Sequence, residues 1–219
     1  MVDITDKLMI CLMKTEGNEE KLKDLPHMEF GDMSVVYRIV LEDNEDHMKS
    51  FLITNEMLKG MGLYGYDLDL IAKDNAPKNF PYKVRPLVDY IAKIAGIPVE
   101  AMPGERNIFL ATVGSGRYGA GCIYYPKFMK ETAELIGGSF YVIPSSIHEV
   151  ILIPDTIKMP VAEMKAMVEG INNTEVEPEE RLSYNVYHYD CNDNSFGIAE
   201  DEWSRDIKVR KGEKKWVTT

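Results

Sequence analysis

Residues 140–154 read FYVIPSSIHEVILIP, and this stretch decides how the second half of the chain is interpreted. Two runs rich in β-branched and aromatic residues, 140–143 and 148–153, flank a Pro-Ser-Ser turn signal, a pattern typical of two paired strands. An amphipathic helix is then predicted to begin at Pro160 and to end near Asn172. The stretch and its continuation therefore predict a ββα unit.

A second ββα unit is predicted directly before the first. Residues 108–113 and 118–125 are strand-like, and Gly-Ser-Gly-Arg at 114–117 fits a hairpin connection between them. A helix beginning at Pro126 completes the unit. If that helix connects parallel strands, the glycine turn and the Ser145 turn lie at opposite ends of the sheet and do not share a site.

The N-terminal half is predicted to be mainly helical. Apolar residues at helical spacing favour an opening helix that ends near Gly17, and Pro77, Pro81 and Pro86 predict an irregular connector at 76–86. The other predicted elements are a strand at 35–41 that pairs with 50–53, a helix capped by Thr54 or Asn55, helices on Leu63–Ile71 and Leu87–Ala95, and late strands at 184–189 and 195–199.

These elements together predict an α+β protein with a mixed sheet, in which a helical N-terminal half precedes two tandem ββα units. The turn-rich stretch 97–106 is the expected boundary between two halves. The predicted domains are a helix-rich half at 1–100, a ββα-ββα-ββ half at 101–202 and a basic tail at 203–219.

The charge of the chain is strongly uneven. Aspartate and glutamate outnumber lysine and arginine by 36 to 25, which gives a net charge of −11. The tail at 203–219 has a net charge of +4, so residues 1–202 carry −15. A body of this charge repels nucleic acid and anionic membranes, and no direct binding to either is expected.

The acidic residues are densest between positions 175 and 202. This region is either a solvated face that aids solubility or a surface for a basic protein partner. The candidate partner-binding residues are Glu175, Glu177, Glu179, Glu180, Glu200, Asp201 and Glu202.

Hydropathy and cysteine content indicate a cytoplasmic protein. No apolar run approaches the ~18 residues that a membrane span requires, and the N-terminus lacks the pattern of a secretory signal. The three cysteines form no CxxC pair, which is typical of reduced thiols.

Two motifs resemble cofactor or metal sites but lack the required context. Residues 114–119 match GxGxxG, yet a strand is expected after them where a dinucleotide site needs a helix, so a hairpin is favoured. The polar group formed by His188, Asp190, Cys191 and Asp193 has no standard metal spacing. No cofactor and no metal are predicted.

The turn inside the deciding stretch holds the candidate ligand-binding residues Ser145, Ser146, His148 and Glu149. Successive strand residues point to opposite faces, so Glu149 is poorly placed to orient His148 for catalysis. Leu152 stands where a zinc-protease motif needs its second histidine. The alternatives are a purely structural turn and a contact to a ligand, for which an anion could use a protonated His148.

Three stretches resemble one known family. They are Ile53–Leu58, the proline-containing segment from Asn75 to Leu87, and the deciding stretch with its Pro-Ser-Ser-Ile-His-Glu run. Over about residues 28–190 the chain resembles a family of bacterial hypothetical proteins classed only as a domain of unknown function. The resemblance implies a cytoplasmic bacterial protein of the kind often carried on mobile elements, and it implies no catalytic residues.

The leading functional hypothesis is a non-enzymatic protein that presents its acidic region to a basic protein surface. A variant is an inhibitor from a mobile element that mimics nucleic acid. The alternative is a small-ligand-binding protein or hydrolase with its site at the turn formed by residues 145–149. A structural homo-oligomer is a third possibility, and the oligomeric state is left open.

Overall fold

The structure is a computed structural model that describes residues 5–44, 46–101 and 107–200. Its first sheet contains β1 (Leu8–Lys14), β2 (Met28–Phe30), β3 (Met33–Asp43) and β4 (Met48–Leu52). Its second sheet contains β5 (Tyr82–Pro86), β6 (Phe109–Val113), β7 (Phe140–Ile143), β8 (Val150–Pro154), β9 (Tyr187–Asp190) and β10 (Ser195–Ile198). The α-helices are α1 (Glu19–Leu22), α2 (Asn55–Gly60), α3 (Gly65–Asn79), α4 (Leu87–Ala95), α5 (Phe128–Ile136) and α6 (Val161–Thr174).

Both sheets are antiparallel at every strand pair that the structure describes. The first has the order β1-β3-β2 with β4 also paired to β3, and the second has the order β10-β9-β7-β8-β6-β5. The predicted fold class is therefore wrong in its mixed sheet and its helical N-terminal half. What remains of it is a combination of helices and strands.

The predicted opening helix is instead the strand β1. Its sequence, LMICLMK, is an almost continuous apolar run, and such a run fits a buried strand as well as a helix. Residues 8–12 are all buried because β3 pairs with one edge of β1 and residues 119–124 pack beside it. Because both faces of β1 are buried, its sequence lacks the alternation of polar and apolar residues that marks a half-exposed strand.

The ββα unit predicted from residue 108 onward is wrong because residues 118–125 are not a strand. Gly119–Tyr124 form a fully buried 3₁₀-helix. A Cβ atom at Gly121 would lie 2.1 Å from the Ile10 carbonyl oxygen, so only glycine allows this segment to approach β1 so closely. The predicted hairpin is absent for the same reason.

The prolines do not leave an irregular connector at 76–86. Helix α3 continues through Pro77 to Asn79, and residues 82–86 form β5. β5 is an edge strand that pairs only with β6 among the described strands, and an edge strand tolerates Pro86 because one side of it needs no ladder hydrogen bonds.

Other predictions are confirmed. The ββα unit predicted from the stretch at 140–154 is present as β7, β8 and α6, and β4 pairs with β3. Thr54 caps α2 by accepting a hydrogen bond from the Met57 N–H at 3.2 Å. Gly96 ends α4 in the left-handed conformation with φ of 68°.

The two sheets share one main hydrophobic core. It contains side chains from both predicted halves, 1–100 and 101–202, and α6 covers a smaller core on the second sheet. The Asp32 carboxylate, at the β2–β3 turn, also connects the sheets, since it accepts hydrogen bonds from Ser183, Asn185 and the Tyr187 hydroxyl. The tail at 203–219 lies outside the described residues.

Candidate functional site

The glycine turn and the Ser145 turn meet at one end of the second sheet. β6 and β7 both pair antiparallel with β8, so they run parallel to each other and end on the same side. The Tyr118 N–H donates to Nδ1 of His148 at 3.1 Å, and Thr112 Oγ1 donates to the His148 carbonyl oxygen at 2.8 Å. The prediction that the turns lie at opposite ends is wrong because it assumed a strand at 118–125.

Both ring nitrogens of His148 have partners. A backbone N–H can only donate, so Nδ1 acts as the acceptor and the hydrogen of the neutral ring lies on Nε2. Nε2 lies 3.0 Å from Oε1 of Glu180. The imidazole therefore connects the glycine turn to the segment that follows α6, through Tyr118 on one side and Glu180 on the other.

The serines of the turn are part of its internal structure. Ser145 and Ser146 are each 4% exposed. Ser146 Oγ accepts the backbone N–H of His148 at 3.0 Å, and Ser146 pairs with Arg181 in an isolated β-bridge. The hydrogen bonds of the described residues join neither hydroxyl to the imidazole, so a nucleophile and base are not assembled here.

Glu149 lies within electrostatic range of His148, Glu180 and Arg85. Burial raises the pKa of its carboxyl group; the charges of His148 and Arg85 oppose this increase, and that of Glu180 adds to it. The Arg85 guanidinium stacks 4.7 Å from the ring centre of Tyr90, whose pKa is also raised by burial. The role of the four candidate residues at 145–149 in ligand binding stays a prediction.

The glycines of the GxGxxG sequence at 114–119 form the turn and allow it to pack closely against its neighbours. Gly114 and Gly116 have φ values of 44° and 89°, which favour glycine. A Cβ atom at Gly119 would lie 2.0 Å from Thr112 Oγ1 and 2.5 Å from the His148 carbonyl oxygen. The helix that follows is a short buried 3₁₀-helix, so the structural requirement for binding a pyrophosphate is not met.

A cleft of about 640 Å³ lies between strands of the first sheet and the turns at this end of the second sheet, and we call it the intersheet cleft. Tyr118 and Ile147 bring the glycine turn and the Ser145 turn to its wall. Its other lining residues are Cys11, Leu12, Met13, Lys14, Glu16, Gly17, Asn18, Lys21, Val36, Arg38, Leu52, Pro178, Glu179 and Arg181. Four of these side chains are cationic and two are anionic, which contrasts with the net negative charge of the chain.

The two arginines of the intersheet cleft are held by their Nε atoms. Arg38 donates from Nε to Ser50 Oγ at 3.1 Å, and its guanidinium lies 4.2 Å from the ring centre of Tyr118. Arg181 donates from Nε to the Val176 carbonyl oxygen at 3.1 Å. Within the described residues, neither arginine has an ion pair or a hydrogen bond from its terminal Nη atoms.

The acidic candidates are placed in several environments. Glu175, Glu177, Glu179 and Glu200 are exposed, whereas Glu180 is partly buried beside His148. Glu179 also lines the intersheet cleft. Asp201 and Glu202 lie outside the described residues. The role of these residues as a partner surface stays a prediction.

The histidine of the polar group near residue 190 has a carboxylate partner from elsewhere in the chain. His188 Nε2 lies 3.0 Å from both carboxylate oxygens of Asp155. Asp190 accepts hydrogen bonds from Asn192, which hold the pKa of its carboxyl group below the ordinary value. Among the residues that the structure describes, no group of three or more His, Cys, Asp or Glu side chains is arranged to hold a metal ion.

A buried polar network was missed by sequence reasoning. Asp69 accepts hydrogen bonds from the Tyr37 hydroxyl at 2.9 Å and from Lys73 Nζ at 2.6 Å, and Lys73 also donates to the Tyr124 hydroxyl at 3.0 Å. Burial raises the pKa of both tyrosines, and the neighbouring Asp69 raises it further. The i,i+4 spacing of Asp69 and Lys73 predicts their pairing, but it does not show that the pair is buried.

Arginines 38 and 181 were also missed, because they come from distant parts of the sequence and neither belongs to a recognisable motif.

Comparisons with known proteins place the chain in a family. No helix in the described ranges is both long and apolar enough to cross a membrane. Searches of curated proteins and of solved structures each find no match to the chain. The model of a family of unknown function, DUF5688, matches residues 1–191, which extends the resemblance at 28–190 to the N-terminus. The chain belongs to this family, DUF5688.

Proposed function

We propose that this protein is a non-enzymatic binding protein that holds a small ligand in the intersheet cleft. The observation that carries the proposal is the cleft itself, whose volume of about 640 Å³ lies within the range of small-molecule sites. Strands of the first sheet, the glycine turn, the Ser145 turn and the segment after α6 form its walls. The proposal also places the protein in a bacterial cytoplasm, in agreement with its three unpaired cysteines.

The arrangement around His148 supports binding rather than hydrolysis. Its ring nitrogens are occupied by Tyr118 and Glu180, and the Ser146 hydroxyl faces the backbone of the turn. A hydrolase of the serine type needs the hydroxyl and the imidazole in hydrogen-bond contact. The Ser145–Glu149 turn therefore supports the wall of the cleft and contributes Ile147 to its surface.

Obstruction of the cleft tests this proposal. Glu179 lines the cleft and Glu177 does not, yet both are exposed carboxylates on the same segment. Wild type, Glu179→Trp and Glu177→Trp are incubated with a deproteinised bacterial extract and analysed by native mass spectrometry. We expect a small-molecule adduct in wild type and Glu177→Trp and its loss in Glu179→Trp. No adduct in wild type, or an adduct retained by Glu179→Trp, would contradict the proposal.

The acidic surface supports a second candidate function, the binding of a basic protein by an inhibitor or nucleic-acid mimic from a mobile element. The observation in its favour is the exposure of three neighbouring carboxylates, Glu175, Glu177 and Glu179. Replacing all three by glutamine should weaken salt-sensitive binding to a polylysine probe. The matched control neutralises three other exposed carboxylates, those of Glu56, Glu163 and Glu169. Equal weakening by both triple variants would eliminate a specific role for this surface.

A further inference from the structure

The intersheet cleft has a chemical preference that its charges define. We propose that its ligand is a small molecule bearing an oxyanion, either a carboxylate or a phosphate, which Arg38 and Arg181 bind through their terminal N–H groups. This inference rests on the proposed function, because it names the class of ligand for the same cleft.

Both arginines of the cleft have N–H donors available for a ligand. Each guanidinium has five N–H donors, and the Nε of both arginines is already used by Ser50 or by the Val176 carbonyl. The bond at Nε and the stacking of Arg38 on Tyr118 fix the planes of these groups before a ligand arrives. The free Nη atoms form the fork that matches two oxygens of a carboxylate or phosphate.

The cations that line the cleft outnumber their internal counter-charges. Among the described residues, Lys14 forms an ion pair with Glu16 at 2.8 Å. Lys21, Arg38 and Arg181 form no ion pair with any of these residues. The chain has an excess of acidic residues, so a carboxylate could readily have evolved beside each cation. Three cations on the wall of this cleft therefore lack a paired carboxylate, which indicates a site whose counter-charge comes from the ligand.

The lining of the cleft limits the size of the ligand. Apolar residues of β1, β3 and β4, including Leu12 and Val36, line the cleft together with the cations. Glu16 and Glu179 also line it, and both are exposed. A long polyanion such as nucleic acid would meet these carboxylates, whereas a compact oxyanion with an apolar part would fit between them.

Isothermal titration calorimetry with two probes tests the class. Pyrophosphate and citrate represent the phosphate and carboxylate sources, and sodium chloride at equal ionic strength is the baseline. We expect at least one probe to bind wild type at millimolar or lower concentration, and the tighter probe identifies the source. Arg38→Gln and Arg181→Gln should each weaken that probe by at least about tenfold, because each removes charge-assisted hydrogen bonds.

A conservative variant distinguishes binding by the paired N–H donors of a guanidinium from binding by a positive charge alone. Arg181→Lys retains the charge but loses the paired donors, so we expect it to bind the probe clearly more weakly than wild type. Lys78→Gln removes a cation from α3 that does not line the cleft, and its affinity should equal that of wild type. The melting temperature of each variant verifies its folding. Arg38 lies within β3, and if its variants are unstable, the Arg181 variants alone test the proposal.

The outcomes distinguish the two proposals. If neither probe binds, or if the arginine variants bind as wild type does, the oxyanion proposal is overturned. If the extract nevertheless gives an adduct that Glu179→Trp abolishes, the cleft remains a ligand site for another class of molecule. If Glu179→Trp retains the extract's adduct, the proposed function itself fails.

Discussion

Two lysine–aspartate pairs on α3 provide a test of the buried polar network. Lys73 and Lys78 each pair with the aspartate four residues earlier, at 2.6 Å and 2.9 Å. The side chains of Lys73 and Asp69 are 21% and 5% exposed, while those of Lys78 and Asp74 are 63% and 71% exposed. The pairs share helix, spacing and residue types, so burial is the main difference between them.

Lys73→Met should destabilise the protein strongly. The change removes the ammonium group that pairs with the buried Asp69 carboxylate and donates to Tyr124, so Asp69 keeps uncharged tyrosine hydroxyls as partners. Breaking a buried pair from one side costs about 3–5 kcal/mol, and the partial exposure of Lys73 favours the lower limit, about 3 kcal/mol. For a chain of this size that loss lowers the melting temperature by about 6–12 °C.

Lys78→Met is the matched control. Lysine and methionine have similar helix propensities, and an exposed i,i+4 pair contributes about 0.3–0.5 kcal/mol. The free energy of unfolding is measured for wild type and both variants by urea titration followed by far-UV circular dichroism. A loss for Lys73→Met that differs from the loss for Lys78→Met by less than about 0.5 kcal/mol would refute the reasoning that burial of the network stabilises the fold.

Three further predictions concern single residues. Burial raises the pKa of Cys11 to about 12, and Cys191 is exposed, so iodoacetamide should label one thiol in the native protein and three in urea; more than one native label would contradict the described burial. Gly121→Ala should lose at least about 2 kcal/mol of stability because its Cβ would meet a β1 carbonyl, whereas Gly170→Ala, with open space in α6, should gain about 0.5–1 kcal/mol; urea titrations giving the same sign for both would refute this. Burial raises the pKa of Glu149, so wild type loses stability as the pH rises from the ordinary carboxyl range through that raised pKa. Glu149→Gln should therefore have a higher melting temperature than wild type at neutral pH and lose this advantage in acid. A difference in melting temperature that does not depend on pH would contradict this prediction.

Local signals made part of the fold predictable. The Pro-Ser-Ser turn between two β-rich runs predicts β7 and β8, and the hydroxyl of Thr54 predicts the start of α2. Gly96 likewise predicts the end of α4. In each case the residues that determine the element lie within a few positions of it, so the sequence pattern contains the needed information.

Other elements depend on packing between distant segments. β1 is apolar on both faces because residues 119–124 cover it, and the glycine at 121 has meaning only beside Ile10. From the sequence alone, an apolar run with glycines at alternate positions is indistinguishable from a weak strand. The error at 118–125 then reversed the expected position of the glycine turn and separated Tyr118 from His148 in the prediction.

The charges of the intersheet cleft and of the whole chain act over different ranges. At physiological ionic strength the Debye length is about 8 Å, so most of the negative body is screened from an anion that has entered the cleft. Arg38 and Arg181 would act at hydrogen-bond distance, where salt screens them much less. The exposed carboxylates of Glu16 and Glu179, on the wall of the cleft, repel anions that are too large to fit between them. An acidic protein can therefore select small oxyanions while it rejects nucleic acid, and the net charge of −11 is not an argument against an anion site.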